Sequence, residues 1–218
     1  MLISKVKFKV SIILPVFNRK DIVKRSIGSV LNQTFENFEL IIVDDGSNDG
    51  GSDSLLKLVN DRIRYIKHSN RSTPLSLNTG ISISSGEYIT FIDSDDEYKT
   101  THLEQRVRFM TDNPDIDLIH SSAKFIGSTD DMYVPDKNDT TKLIHISKCI
   151  IGATIFAKRK VFNRLQGFRN VYSYDSEFVD RAQKYFKVKK ILSDTYLYYR
   201  NSSDSVLNKL KKLQRGNG

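Results

Sequence analysis

Three carboxylates fall within four positions at Asp93-Ser94-Asp95-Asp96, directly after the β-rich run Gly86 to Ile92. Asp is a poor strand former, and neighbouring carboxylates repel one another. A cluster of them where a strand stops makes sense if a cation sits there. Hard oxygen ligands suit Mg²⁺ or Mn²⁺, and those ions in turn hold phosphates. A second acidic pair, Asp44-Asp45, closes the apolar run Glu39 to Val43 and leads into Gly46-Ser47. For an isolated Asp-x-Asp the competing reading is a solvated acidic loop, so the elements around both clusters must decide.

Val10 to Val16 reads as a short buried strand bounded by Pro15 and Asn18. Asp21 is placed to cap a helix carrying Ile22, Val23, Ile27, Val30 and Leu31. Glu39 to Val43 is the second strand, and Ser52-Asp53 can cap a helix through about residue 60. Arg62 to Lys67 alternates strictly and is the third strand. Ser72 to Ser85 reads as a helix with Pro74 in its first turn, and Glu87 to Ile92 is the fourth strand. Strands alternating with helices indicate βαβ units, an α/β class with a mixed, mainly parallel central sheet flanked by helices. Ligands of such sheets bind at the carboxyl ends of the strands. Asp44-Asp45 and Asp93-Asp95 both lie at that edge.

The second half is less regular. His102 to Asn113 and Asp175 to Phe186 read as helices. Ile116 to Phe125, Ala153 to Lys158 and Tyr196 to Arg200 read as strands, and 127–141 as a polar loop. No repeat and no domain break interrupts residues 1–206. Residues 207–218 form a basic tail in which Leu207, Leu210 and Leu213 make a narrow apolar stripe.

With 218 residues, 39% hydrophobic and 28% charged, the chain is sized and composed as one globular domain. No apolar run approaches the ~20 residues of a membrane span. Met1 to Lys9 is too interrupted for a signal peptide, so the expected location is cytoplasmic, with peripheral membrane contact open. The single cysteine, Cys149, excludes an intramolecular disulfide and a cysteine-based zinc cage, and is expected as a small buried residue. The four Asn-x-Ser/Thr sequons, at Asn32, Asn70, Asn138 and Asn201, read as chance. His68, His102, His120 and His145 lack partners at metal-ligand spacing and read as ordinary. The net charge of +8 is uneven: residues 158–218 hold 15 Lys/Arg against five Asp/Glu. That asymmetry fits an anionic partner, such as a membrane surface for the tail, or simply a solvated basic face.

Three segments in order carry a resemblance. They are Ser11 to Asn18, Ile41 to Ser52, and Leu77 to Ile81 running into Gly86 to Asp96. Gly167-Phe168 with Tyr174-Asp175-Ser176-Glu177 is a weaker fourth. Together they resemble the inverting glycosyltransferases of family 2, which have the GT-A fold. The resemblance implies a nucleotide-diphosphate sugar donor, UDP- or dTDP-linked, and a glycan or lipid-linked hydroxyl acceptor. It implies donor contacts at Pro15, Phe17, Asn18, Asp44, Asp45, Arg71, Asp93 and Ser94, with Asp45 on the base and Asp44 supporting the turn. It implies Mn²⁺ or Mg²⁺ on Asp93 and Asp95, with Asp96 behind them, and Asp175 as general base. At a helix start, Asp175 could equally serve as a cap.

The chemistry needs these groups. A departing diphosphate gathers negative charge that a divalent cation stabilises. An acceptor hydroxyl needs a carboxylate within about 2.6–3.2 Å to take its proton. The chain departs from the family pattern where Tyr174 replaces a Glu, where Ser76-Leu77-Asn78 lacks an arginine, and where no His follows Tyr199-Arg200. A non-catalytic sugar-nucleotide binding module is therefore the alternative reading. A nucleotidyltransferase is disfavoured because Phe17 to Lys20 lacks a Gly-rich phosphate loop. A nucleic-acid partner is disfavoured because carboxylates line the expected cleft.

Overall fold

The computed structural model describes residues 8–200. The first half runs β1 (Val10–Val16), α1 (Val23–Leu31), β2 (Phe38–Asp44), α2 (Ser52–Leu56), β3 (Ile63–Lys67), α3 (Thr73–Ile83) and β4 (Tyr88–Phe91). The second half continues with β5 (Glu97–Tyr98), α4 (His102–Asp112), β6 (Leu118–Ser121), β7 (Lys124–Ile126), β8 (Tyr133–Pro135) and β9 (Leu143–His145). It ends with β10 (Phe156–Lys158), α5 (Arg159–Leu165), α6 (Tyr174–Ala182), β11 (Val188–Ile191) and β12 (Tyr196–Tyr199). Seven strands form one sheet in the order β11-β6-β10-β4-β1-β2-β3. Only β10 is antiparallel to its neighbours within it. β5, β12 and β7 form a second, three-stranded sheet, and β8 pairs with β9.

The continuous apolar runs follow from burial on both faces. Ile12, Leu14, Leu40 and Ile42 pack into one core with Val23, Ile27 and Val30 of α1 and Leu103 of α4. The alternate residues Ile13, Ile41 and Val43 pack into another, with Leu77 of α3, Val161 and Phe162 of α5, and Phe178 and Val179 of α6. β1 registers with β2 from Val10↔Phe38 to Val16↔Asp44, which brings the loops after both strands to one edge. β4 pairs with β1 on the other side and delivers Asp93 to the same edge.

Several sequence expectations change. Asp21 does not cap α1. The N–H groups of Ile22 and Val23 already donate to the Arg19 carbonyl, at 3.1 and 2.9 Å, so that turn needs no side-chain acceptor. α2 ends at Leu56, because Leu58 and Val59 switch to three-residue hydrogen bonds. The Ile116–Phe125 run divides between two sheets, β6 in one and β7 in the other. The supposed loop 127–141 contains a 3₁₀ turn at Thr129–Met132 and strand β8. α5 and β11 were not anticipated. Cys149 is half-buried rather than enclosed. The 207–218 tail lies outside the described residues, and within them no helix is long and apolar enough to cross a membrane.

One buried polar cluster locks the start of β4 onto β1 and β2. Gly86 N–H donates to Ser11 Oγ at 2.8 Å, and Ser11 Oγ donates to Glu39 Oε1 at 2.6 Å. Ser85 adds its N–H and hydroxyl to the same carboxylate oxygen, and Arg64 pairs with the other. Burial alone would raise the Glu39 pKa. The hydrogen bonds from Ser11 and Ser85 and the Arg64 charge outweigh it and hold the carboxyl below its ordinary value.

A Cβ on residue 86 would stand 2.5 Å from Ser11 N, so Gly86→Ala should lower stability by about 1–3 kcal/mol through backbone displacement. Gly28→Ala meets nothing within 4 Å on α1 and should gain about 0.5–1 kcal/mol; denaturant titration compares the two. Glu39→Gln should cost about 1–3 kcal/mol near neutral pH. The native carboxyl titrates below its unfolded counterpart, so its contribution is full above pH 4.5 and disappears as pH falls through the lowered value. Unfolding curves of parent and variant should therefore converge in acid.

Candidate active site

The loops after β1, β2 and β3 are stapled into one wall. Asn18, at a positive φ of 51°, donates its N–H to Ser47 Oγ at 3.0 Å, and its Oδ1 accepts from Asn48 N–H at 2.9 Å. Gly46 must be glycine: its φ is 85°, and a Cβ there would lie 2.8 Å from Asn70 N. Asp44 has no exposed surface and accepts hydrogen bonds from Ser47 N–H at 2.7 Å, Ser52 Oγ at 3.1 Å and Tyr65 Oη. Those hydrogen bonds outweigh burial and keep its carboxyl below the usual range. Its oxygens are committed to the turn.

Asp45 stands one residue on, facing the β3 loop. It accepts the N–H of Arg71 at 2.9 Å and of Ser72 at 3.2 Å. His68 Nδ1 lies 3.3 Å from the same carboxylate, so this histidine belongs to the wall. Pro15, near the end of β1, is half-buried, and Phe17, just past that strand, is 43% exposed. Arg71 is exposed.

The acidic cluster after β4 divides by burial. Asp96 has no exposed surface, and its carboxylate takes hydrogen bonds from Tyr196 Oη at 2.6 Å and Tyr199 N–H at 2.8 Å. Asp93, Ser94 and Asp95 are partly exposed. Burial, with the charges of Asp95 and Asp175, pushes Asp93 up to about 7, against a lowering pull from Arg19. Arg19 Nη2 lies 3.5 Å from Asp95 Oδ2. Among the described residues no group of three or more His, Cys, Asp or Glu is gathered as a metal cage. A pair of crowded carboxylates, one of them resisting ionisation, fits a cation completed by phosphate and water, as Mg²⁺-type sites commonly are.

Asp175 is the second residue of α6, not its cap; Ser173, at φ 53°, precedes the helix. Asp175 Oδ1 accepts from Ser176 N–H at 2.8 Å, and Oδ2 accepts from Gly152 N–H at 3.1 Å. Gly152 belongs to the 3₁₀ turn before β10, so the two elements fix the carboxylate together. Burial raises the Asp175 pKa despite those bonds. Its charge reaches Asp93, although the two residues come from opposite halves of the chain. Tyr174, which stands where a Glu was expected, has its hydroxyl in the field of both Asp93 and Asp175.

Other motif residues are structural. Asn78 exchanges two 2.8 Å hydrogen bonds with the Phe168 backbone, and a Cβ at Gly167 would strike Asn78 Oδ1 at 2.3 Å. Glu177 is taken by Arg181 and Arg169. Arg200 is buried, with Nε donating to the Asp131 carbonyl at 2.9 Å. Sequence reasoning missed Arg19, His68, Gly152 and the β12 tyrosines. Arg19 could have been found from its place two residues past Phe17 at the shared edge. Gly152 and the tyrosines carry no local signal, because tertiary pairing brings them in.

Residues 11–171 match the sequence family described as Glycosyl transferase family 2. An uncharacterized glycosyltransferase of Rickettsia bellii is 45% identical over 106 residues, 48% of this chain and 15% of that protein. The uncharacterized glycosyltransferase RP339 of Rickettsia prowazekii is 27% identical, over 94% of this chain and 69% of that one. The Escherichia coli protein WfaP, named a UDP-Glc:alpha-D-GlcNAc-diphosphoundecaprenol beta-1,3-glucosyltransferase, is 38% identical over 46% of this chain and 41% of its own. Among solved structures, Staphylococcus aureus TarS 1-349 in complex with UDP-GlcNAc superposes with a TM-score of 0.71 at 18% identity. That match covers 92% of this chain and 60% of TarS 1-349. The mannosyltransferase PcManGT of Pyrobaculum calidifontis, in complex with GDP-Man and Mn2+, gives 0.70 at 16%, covering 96% of this chain and 61% of its own. With the family matched over residues 11–171 and the sheet superposing on these enzymes, the chain belongs to glycosyl transferase family 2 and has the GT-A fold.

Proposed function

We propose that the chain transfers a sugar from a UDP- or dTDP-linked donor to a hydroxyl of a glycan or lipid-linked acceptor, with inversion. The observation that carries this reading is that the charge of Asp175, from α6, is felt at Asp93, which stands beside Asp95 at the carboxyl edge of the sheet. The relative named for a UDP-glucose donor and a diphosphoundecaprenol acceptor supports the substrate class.

In this reading the wall of Pro15, Phe17, Asn18 and Asp45 receives the base, with Phe17 stacking and Asp45 accepting a hydrogen bond. Arg71 and Ser94 flank the ribose and diphosphate. Asp93 and Asp95 would hold Mn²⁺ or Mg²⁺, which would supply positive charge to the departing diphosphate. Asp175 Oδ2 carries one hydrogen bond from Gly152 and keeps a lone pair for the acceptor hydroxyl. As the acceptor oxygen bonds to the anomeric carbon, the carbon–phosphate-oxygen bond breaks on the opposite face. The hydroxyl proton passes to Asp175. One carboxylate suffices for a single displacement, so the product configuration is inverted. Asp44 and Asp96 act by holding the two loops.

A thermal-shift screen of nucleotides with and without Mn²⁺ tests the donor assignment, since a ligand at a hundred times its Kd adds about 2.7 kcal/mol. Asp95→Ala should abolish the Mn²⁺-dependent part of UDP stabilisation. Asp45→Ala should weaken UDP about tenfold or more whether or not metal is present, because a hydrogen bond to a charged group is worth about 1.5–3 kcal/mol. Unchanged binding in both variants would remove this assignment.

Asp175→Asn should bind donor as the parent does yet transfer about 10²–10⁴-fold more slowly. The parental rate should rise with pH through a pKa above the ordinary 3.8, because burial raises this carboxyl and only its ionised form accepts a proton. The variant should lack that rise. Donor binding without turnover in the parent would instead mark a sugar-nucleotide binding module.

A further inference from the structure

A groove of about 450 Å³ opens between α4 and the edge strand β11, with none of Asp93, Asp95 and Asp96 in its lining. Gln105, Arg106 and Phe109 line one side, and residues 189–193 the other. No carboxylate lines it. Its floor is Arg106, which has no exposed surface. The guanidinium donates to Thr195 Oγ1 at 3.0 Å, Ser121 Oγ at 2.8 Å and, more weakly, the His102 carbonyl at 3.4 Å. All three acceptors are neutral, and Nε has no partner. No ion pair reaches Arg106 among the described residues. A buried charge without a counter-charge is costly, and that cost falls when an anion comes near.

The walls add to the same field. Lys189 stands on the α4 face of β11, its Nζ 5.4 Å from the centre of the Phe109 ring. Lys190 lies on the strand's other face, where its charge helps to lower the pKa of His120. Gln105 and Ser193 offer neutral donors at the rim. Ser193 Oγ lies 2.8 Å from Thr195 Oγ1, the atom that accepts from Arg106, so a hydroxyl chain links the rim to the buried guanidinium.

We propose that this groove binds a phosphate group, separately from the donor site. Lys189, Gln105 and Ser193 make the contacts, while Arg106 acts from beneath through a medium of low dielectric, where charges are felt more strongly than in water. The phosphate can come from a soluble polyphosphate or from a lipid headgroup, and both present the same tetrahedral oxyanion.

Inorganic pyrophosphate is the soluble probe, titrated by calorimetry and thermal shift in metal-free buffer, where the Asp93–Asp95 cluster repels anions. Binding should be saturable and should weaken as salt is raised. Lys189→Glu is a surface change that should leave the fold intact, verified by its circular dichroism, and should weaken pyrophosphate about tenfold or more. Sedimentation with phosphatidylglycerol vesicles but not with phosphatidylcholine, lost in Lys189→Glu, assigns the site to a headgroup. Saturable pyrophosphate binding without sedimentation assigns it to a soluble phosphate. Absence of saturable pyrophosphate binding, or equal affinity in parent and Lys189→Glu, overturns the proposal whatever the vesicles do.

Discussion

The site depends on one buried carboxylate that does no chemistry. Asp96 sits behind Asp93 and Asp95 and holds Tyr196 and the Tyr199 backbone of β12. Burial and the two neighbouring charges push its pKa well above the carboxylate range. Tyr196 Oη also accepts the Asp93 N–H at 3.2 Å, so one phenol ties both ends of the acidic loop to β12. Without that tie, mutual repulsion would spread Asp93 and Asp95 into solvent. With it, they stay at the end of β4, crowded enough that Asp93 resists ionisation. That crowding is a cost in the native state, and a cation placed between the carboxylates would offset it.

Within each acidic motif one carboxylate is committed to holding the chain. In Asp44-Asp45, the first closes the turn with three donors and the second faces the wall formed with His68 and Arg71. In Asp93 to Asp96, the last is the holder. In Asp175 to Glu177, Glu177 is bound by Arg181, which also takes the Leu165 and Gly167 carbonyls and so fixes the chain entering α6. At Asp44 the hydrogen bonds outweigh burial and lower the pKa, whereas at Asp93, Asp96 and Asp175 burial dominates and raises it.

This division also explains what the sequence could show. β1, β2 and β3 were legible within a residue or two, because each is a continuous or alternating apolar run closed by turn residues. The mixed parallel sheet followed from their alternation with helices. β10 lies at the end of the expected strand Ala153 to Lys158, whose first residues instead form a 3₁₀ turn, while β11 carries no comparable signal and sets two lysines at the sheet edge. Propensity is weak in such a strand, and tertiary pairing decides it. The acidic residues were legible as clusters, but which member is buried and which stays partly exposed depended on partners distant in sequence.

Arg19 joins the two halves of the cleft. It lies one residue past Asn18, which is pinned to the Gly46–Ser47 turn, and its guanidinium reaches Asp95. The Arg19 carbonyl also closes the first turn of α1, and Arg25 of that helix donates to the Asp95 carbonyl. The loop after β1 therefore touches the turn after β2 at one end and the acidic cluster at the other. Displacement of either end must move the other or break a charged contact. In the proposed reading, the base and diphosphate of a donor would be held at opposite ends of this short, doubly anchored loop, whose span is set by the parallel register that brings β1, β2 and β4 to the same edge.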